Sequence, residues 1–242
     1  MGTTVAEIKD IKKSFGSNNV LAGLNLKVES GENLVVFGKS GSGKSVLIKC
    51  LVGLLEADEG TATLFGENVS ELKERELNLV RKKVGFLFQS AALYDSMTVR
   101  ENLEFPLRDL KSKTREEIDA LVIEALTNVG LADAIDKMPS ELSGGMRKRV
   151  GLARTLILKP ELILYDEPTT GLDPITSKEI SHLILDIQKK YNTASIIITH
   201  DVECARITSN RMIIIKNGTA IAEGAFKELA ESTDEWVRSF FK

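Results

Sequence analysis

The chain has 242 residues, 43% hydrophobic and 28% charged, with a formal net charge of −3. This composition indicates a globular protein with a substantial core, and the slightly acidic total excludes an electrostatic basis for nucleic-acid binding. No window contains the 18 apolar residues of a membrane-spanning helix. The two cysteines, Cys50 and Cys204, lack the spacing of a metal site or a disulfide framework. We therefore expect a protein of the reducing cytoplasm in which Cys50 is a buried apolar side chain.

The first 37 residues predict three strands. Apolar residues alternate loosely over residues 5–30, and residues 16–19 form a turn signal that divides this stretch in two. Alternation on both sides of a turn is typical of antiparallel strands. Residues 34–37 are instead a continuous apolar run, as expected for a strand covered on both faces.

The segment after that strand fits the phosphate-binding pattern G-x-x-x-x-G-K-[ST]. It consists of Gly38, Lys39, Ser40, Gly41, Ser42, Gly43, Lys44 and Ser45. The glycines allow backbone N–H groups to point inward, where they and the positive end of the next helix bind phosphate oxygens. Lys44 is expected at the β- and γ-phosphates and the Ser45 hydroxyl on Mg²⁺. The alternative is a glycine-rich turn with a chance lysine, but the strand before it and the apolar helix-forming residues after it favour the phosphate site.

Two more strands are predicted before the middle of the chain. Residues 61–65 form a strand pattern followed by a turn signal at residues 66–68. Residues 84–88 form another strand pattern, which leads to Gln89. Four large apolar side chains follow in a region without strand pattern: Leu93, Tyr94, Met97 and Phe105. They belong either to the core of a subdomain or to a groove for a helix of a partner protein.

Residues from about 98 to 155 are predicted to form a helical subdomain inserted into the topology of the sheet. The clearest element is a helix over residues 114–130, since Thr114 and Glu117 form a capping box. An apolar stripe follows at helical spacing, and Gly130 ends the helix.

A second candidate phosphate site begins at Ser143, which can cap the helix that follows. Gly144 and Gly145 leave backbone N–H groups free for an anion. One nucleotide does not need two helix N-termini from the same chain. We therefore expect this loop to serve a nucleotide bound to a second copy.

Two nearly continuous apolar runs, residues 162–165 and 195–199, predict parallel strands that end in polar residues. Asp166 is expected to bind Mg²⁺ beside the phosphate loop, and Glu167 to act as general base or to position the attacking water. His200 follows the second strand, where it is expected near the γ-phosphate. The alternatives are a solvated acidic strand end and a structural histidine.

The C-terminal part begins with a hairpin over residues 211–223 around Asn217 and Gly218. The remaining residues, 225–242, form an amphipathic tail. Its apolar side chains share one helical face: Trp236, Val237, Phe240 and Phe241. We expect this tail to dock on another surface, with packing against its own domain as the alternative.

With its motifs in this order, the chain resembles the nucleotide-binding subunits of ABC transporters over about residues 5–224. Phe15 stands where an aromatic residue stacks on adenine, and Gln89 matches the Q-loop. The loop at Ser143 matches the signature motif, and residues 162–167 match Walker B with its adjacent glutamate. The resemblance implies an α/β fold of the P-loop NTPase, ABC ATPase type: a mostly parallel core sheet, an antiparallel β subdomain and an inserted helical subdomain.

The same resemblance implies ATP and Mg²⁺ and assigns the residues that act on them. Residues 171–173 resemble the D-loop, and His200 resembles the switch histidine. The implied catalytic residues are Lys44, Glu167 and His200. The implied nucleotide-binding residues are Phe15, Gly38, Lys39, Ser40, Gly41, Ser42, Gly43, Lys44, Ser45, Val46, Gln89, Ser143, Gly144 and Gly145. The implied Mg²⁺ ligands are Ser45, Gln89 and Asp166.

Two residues depart from the usual family pattern. Phe15 replaces the more usual Tyr, and Met146 replaces the Gln that usually ends the signature motif. Met146 instead agrees with the ATPases of Mla-type phospholipid transporters. Other segments that look like those ATPases are residues 88–93, 105–108, 138–146 and 173–176.

This finer resemblance implies an ATPase that drives phospholipid movement across the cell envelope. The implied partners are a second copy of the chain, integral-membrane permease subunits and an MCE-type lipid-binding protein, at the cytoplasmic face of the inner membrane; nucleic acid is not expected. The chain would divide into an ATP-binding domain (1–224) and the tail (225–242). The alternatives are an importer of another solute and a regulatory ATPase of a cell-wall remodelling complex. A DNA-maintenance ATPase is disfavoured because the sequence has no heptad run.

Overall fold

The structure is a computed structural model that describes residues 2–108 and 113–241. In chain order the strands are β1 (Thr4–Phe15), β2 (Asn18–Glu29), β3 (Asn33–Phe37), β4 (Glu59–Leu64), β5 (Glu67–Asn68), β6 (Val84–Leu87), β7 (Leu162–Asp166), β8 (Ala194–Thr199), β9 (Arg211–Lys216) and β10 (Thr219–Gly224). The α-helices are α1 (Lys44–Leu51), α2 (Glu74–Arg81), α3 (Val99–Glu104), α4 (Arg115–Asn128), α5 (Gly144–Leu156), α6 (Pro174–Tyr191), α7 (Val202–Thr208), α8 (Phe226–Ala230) and α9 (Glu235–Arg238).

The N-terminal strands form the predicted antiparallel subdomain, a four-stranded sheet in the order β2-β1-β4-β5. One detail differs from the sequence prediction. The turn after β4 lies at Phe65 and Gly66, which both adopt positive φ, and residues 67–68 already pair with β4. Part of the predicted turn therefore belongs to a short strand. The sequence does not indicate this shift, because positive φ is uncommon for a residue as bulky as Phe65.

The core sheet has six strands in the order β10-β9-β3-β8-β7-β6. The pairings are parallel from β9 to β6, and β10 pairs antiparallel to β9, so the predicted mostly parallel sheet is confirmed. Every residue of β3, β7 and β8 is buried. Alternate residues of these strands belong to two different apolar clusters, one on each face of the sheet. Burial on both faces explains why these strands are continuous apolar runs.

The connection between β6 and β7 contains α3, α4 and α5 among its described residues, as the sequence predicted. Thr114 and Glu117 form the predicted capping box of α4, and Gly130 follows the helix at positive φ. Residues 109–112 of this stretch lie outside the described residues, and the exact boundaries of a helical subdomain stay a prediction. Leu93 packs against the core, whereas Tyr94 is exposed and its ring lies 4.7 Å from that of Phe105.

The C-terminal tail packs against its own domain. Val237 is buried, and the Phe240 ring meets the Phe37 ring edge-on at 5.5 Å. Phe241 stacks on the same Phe37 at 6.3 Å. The sequence expectation that the tail docks on another surface is therefore wrong for this structure. Phe37 ends β3 and offers the tail an aromatic partner on the core sheet; Lys242 lies outside the described residues.

None of the helices formed by the described residues has both the length and the apolar character needed to cross a membrane.

Candidate functional site

The candidate site lies where β3, β6, β7 and β8 end. These strands are parallel neighbours, so their carboxyl ends lie along one edge of the sheet, where open α/β sheets bind ligands. A cavity of about 250 Å³ opens there. It is lined by Val20, Ser40, Gly41, Gly43, Lys44, Ser45, Val46, Gln89, Glu167, Thr170 and His200. The structure thus brings together the predicted phosphate loop, Gln89, Glu167 and His200.

The phosphate loop has the backbone geometry that its glycines predict. Gly43 has a φ of 96°, and a Cβ atom there would lie 2.7 Å from the carbonyl oxygen of Val20. The buried Lys44 curls back over the loop, and its Nζ donates to the carbonyl oxygens of Gly38 (2.8 Å) and Lys39 (3.1 Å). These two carbonyl oxygens hold the Lys44 cation against the loop, where it can bind phosphate together with the backbone N–H groups.

Ser45 and Asp166 fit a Mg²⁺ site. The Ser45 hydroxyl donates to the Asp166 carboxylate at 2.9 Å. Burial raises the pKa of Asp166, the bond from Ser45 opposes that shift, and the nearby charge of Glu167 adds to it. A buried carboxylate whose charge is incompletely compensated, beside a hydroxyl oxygen, matches the oxygen ligands that Mg²⁺ takes from proteins. Gln89 lines the adjoining cavity together with Ser45, and its role as a Mg²⁺ ligand stays a prediction.

The carboxylate of Glu167 is the point where the predicted catalytic groups meet. It lies 2.8 Å from Nδ1 of His200 and 3.5 Å from Nζ of Lys44. Thr170, a residue that the sequence analysis missed, donates its hydroxyl to the same carboxylate at 3.2 Å. Glu167 also has a φ of 51°, a left-handed conformation uncommon outside glycine. Backbone strain held in place at this position is typical of functional sites.

Lys148 is a second residue that the sequence analysis did not assign to the site. It lies on α5 with only 5% of its surface exposed. Its Nζ donates to the carbonyl oxygens of Gln89 and Glu167. Burial lowers the pKa of Lys148 to about 8. No sequence pattern identifies its role, because a helical lysine usually points to solvent and its partners are distant in sequence.

Some predicted site residues do not line the cavity. Phe15 is half exposed outside it, with Nζ of Lys13 at 5.7 Å from its ring centroid. Ser143 instead caps α5, where its hydroxyl accepts from the N–H of Met146. Gly144 and Gly145 follow in that helix and are likewise absent from the lining. That the Ser143 loop binds a nucleotide held by a second copy stays a prediction.

Lys39 and Ser42 line a neighbouring cavity of about 550 Å³, which shares Val20, Ser40 and Gly41 with the first. Lys216 and Trp236 line it too, with Nζ of Lys216 at 4.2 Å from the Trp236 ring centroid. The packed tail therefore reaches the surroundings of the phosphate loop.

Comparison with known proteins agrees with this geometry. The family model described as "ABC transporter" matches residues 21–170. The chain is 40% identical over 240 residues to a "probable ribonucleotide transport ATP-binding protein mkl" of Mycobacterium leprae, covering 99% of this chain and 69% of the relative. It is 38% identical over 242 residues to the "intermembrane phospholipid transport system ATP-binding protein MlaF" of Haemophilus influenzae, covering 100% of this chain and 92% of the relative.

Solved structures show the same fold. CbiO1 of Clostridium perfringens, described as part of the ABC transporter complex cbiONQ, superposes with a TM-score of 0.87 at 27% identity, covering 98% of this chain and 94% of that chain. A dimer of the ATP-binding cassette MJ0796, bound to ADP and Pi, superposes with a TM-score of 0.83 at 30% identity, covering 91% and 98%.

Proposed function

The chain belongs to the ABC transporter family as an ATP-hydrolysing subunit, and we propose that it drives phospholipid movement across the cell envelope through a partner permease. The observation that carries this proposal is the likeness to the phospholipid-transport ATPase, which extends over 100% of this chain and 92% of that relative. The relative named for ribonucleotide transport has a comparable sequence identity, 40% over 240 residues. Met146 and residues 173–176, which look like those of Mla-type ATPases, favour phospholipid.

We assign the roles in hydrolysis from the contacts. Lys44 would bind the phosphates of ATP, and Ser45 and Asp166 would hold Mg²⁺, which would supply positive charge against those phosphates. Glu167 accepts the proton of the attacking water or orients it, because its carboxylate is fixed between Lys44 and His200. Lys44→Ala should therefore abolish ATP binding or hydrolysis.

Replacing Glu167 with Gln tests the assignment. The variant should bind ATP and hydrolyse it about 10²-fold or more slowly, the order expected for loss of a positioned base. Glu203→Gln is the matched control, because this carboxylate lies on α7 and pairs with Arg206 at 2.6 Å. Normal turnover in Glu167→Gln, with ATP bound, would remove the assigned role.

We propose that two copies bind two ATP molecules between the phosphate loop of one and the Ser143 loop of the other. The dimer of MJ0796 supports this arrangement. Ser143→Arg and Lys44→Ala should each be inactive alone. A mixed dimer keeps one site with both elements intact and should recover partial activity, measured as ATP hydrolysis in a verified heterodimer. No recovery would count against action between the copies.

The permease, an MCE-type lipid-binding protein and the cytoplasmic face of the inner membrane complete the proposal. A complex purified with this chain should transfer phospholipid between vesicles in an ATP-dependent way, and Glu167→Gln should stop the transfer. ATP-dependent movement of a ribonucleotide or another solute, without lipid transfer, would favour the importer alternative. A permease that copurifies without any lipid-binding protein or lipid would favour the regulatory alternative.

A further inference from the structure

Lys148 joins two strand ends of the site through their backbones. Gln89 follows β6 and Glu167 follows β7, and these strands are parallel neighbours. Nζ of Lys148 donates to the carbonyl oxygens of both residues, at 3.1 Å in the case of Glu167. Lys148 itself belongs to α5, the helix that Ser143 caps. One buried cation therefore connects the signature helix with two of the loops that surround the nucleotide cavity.

The Glu167 peptide needs such support because its backbone is strained. Its φ of 51° lies in the left-handed region, which residues other than glycine rarely adopt. Its N–H donates to the carbonyl oxygen of Ile198 at 2.9 Å, and its carbonyl oxygen accepts from Lys148. Because hydrogen bonds hold the Glu167 backbone at both its N–H and its carbonyl oxygen, the side chain extends from a fixed position toward His200 and Lys44.

The same helix also holds the segment that follows Gln89. Ala91 and Ala92 both adopt positive φ, of 61° and 47°. The guanidinium of Arg154, six residues after Lys148 on α5, donates to both of their carbonyl oxygens at 3.0 and 2.9 Å. Lys148 is thus one of two cations by which α5 fixes this loop, and Lys148 is the one that also reaches Glu167.

We propose that Lys148 is a positioning residue for ATP hydrolysis, which ties the Gln89 and Glu167 peptides to each other and to the signature helix. This inference rests on the role proposed for Glu167. If Lys148 acts in this way, its loss should misplace the carboxylate without removing any group that binds ATP. The turnover number should then fall while the affinity for ATP is kept.

The test compares Lys148→Met with Lys148→Gln in the complex in which the wild-type chain hydrolyses ATP. Met keeps the apolar stem and removes every donor, and we expect kcat to fall by about 10- to 100-fold, the effect of a displacement near 1 Å, with an unchanged KM for ATP. Gln keeps two N–H donors and should recover most of the loss. A purely packing role predicts no such recovery, because Met fills the site better than Gln does.

Arg149→Met is the matched control. It removes a cation from the next position of α5. The Arg149 guanidinium donates to the Val129 carbonyl oxygen at 3.1 Å and pairs with Glu179, and neither partner lines the nucleotide cavity. Its kcat should stay within about twofold of wild type. Where Lys148→Met does not fold, Lys148→Ala replaces it, because the space left can admit water to the two carbonyl groups without tying them together.

A folded Lys148→Met or Lys148→Ala with wild-type kcat, or a change confined to KM, would overturn the inference. Equal losses of kcat in Lys148→Met and Lys148→Gln would overturn it too. Glu167→Gln is measured in parallel. If that variant turns over normally, the proposed role of Glu167 has failed, whatever the Lys148 variants do.

Discussion

Replacing Val237 with Ala should destabilise the whole chain, because this tail residue is 1% exposed. The change removes two buried methyl groups, worth about 0.8 kcal/mol each, and a cavity that stays open raises the cost to at most about 3 kcal/mol. The better helix propensity of Ala in α9 offsets about 0.5 kcal/mol. We therefore expect the free energy of unfolding to fall by about 1–2.5 kcal/mol, since these effects largely add.

The assay is unfolding of the purified chain by urea and by heat. In a chain of this size a loss of 1 kcal/mol lowers Tm by about 2–4 °C, so Tm should fall by about 2–10 °C. Ile175→Ala is the control, because it removes a larger apolar group from a side chain that is 74% exposed. Its free energy of unfolding should change by no more than about 0.5 kcal/mol.

The result that refutes the reasoning is a Val237→Ala chain whose unfolding matches that of the control. The tail would then not be packed against its own domain in solution. Copurification of the same variant would then show where the tail docks. Loss of the dimer would indicate a second copy, and loss of the complex would indicate another subunit.

Two more outcomes follow from local geometry. Gly43→Ala should weaken ATP binding, measured by titration, by about tenfold or more. Strain at positive φ costs about 1–3 kcal/mol, and the new methyl group would press on the Val20 carbonyl group. Gly66→Ala is the control and should leave ATP binding unchanged, because Gly66 also has a positive φ but has open space around it. Cys50 and Cys204 should resist a thiol reagent at pH 8 in the folded chain and react after unfolding. Burial raises the pKa of both thiols, and that of Cys204 rises to about 11. Fast modification of the folded chain would contradict their burial.

Much of the fold could be predicted because its signals are local or periodic. The buried strands are apolar runs, the capping box of α4 is a four-residue pattern, and the phosphate loop is contiguous in sequence. The convergence of Glu167 and His200 followed from one rule, that parallel strands end at the same edge of a sheet.

The rest depends on contacts between distant residues. Lys148 became a site residue only when its helix brought it beside Gln89 and Glu167, and nothing in its own neighbourhood indicates burial. The tail packs against Phe37, which the sequence presents only as part of a strand. The positive φ of Ala91 is imposed by tertiary contacts, because alanine itself does not favour this conformation.

The place of β3 in the sheet also determines when a newly made chain can become an ATPase. β3 lies between β8 and β9, which begin only at Ala194 and Arg211. At about 5–20 residues per second on the ribosome, the strand before the phosphate loop waits on the order of ten to thirty seconds for its first hydrogen-bonded neighbour in the sheet. Until β8 is made, both edges of β3 lack a neighbour in the sheet, and a chain cut short before β8 would carry an unpaired, aggregation-prone strand.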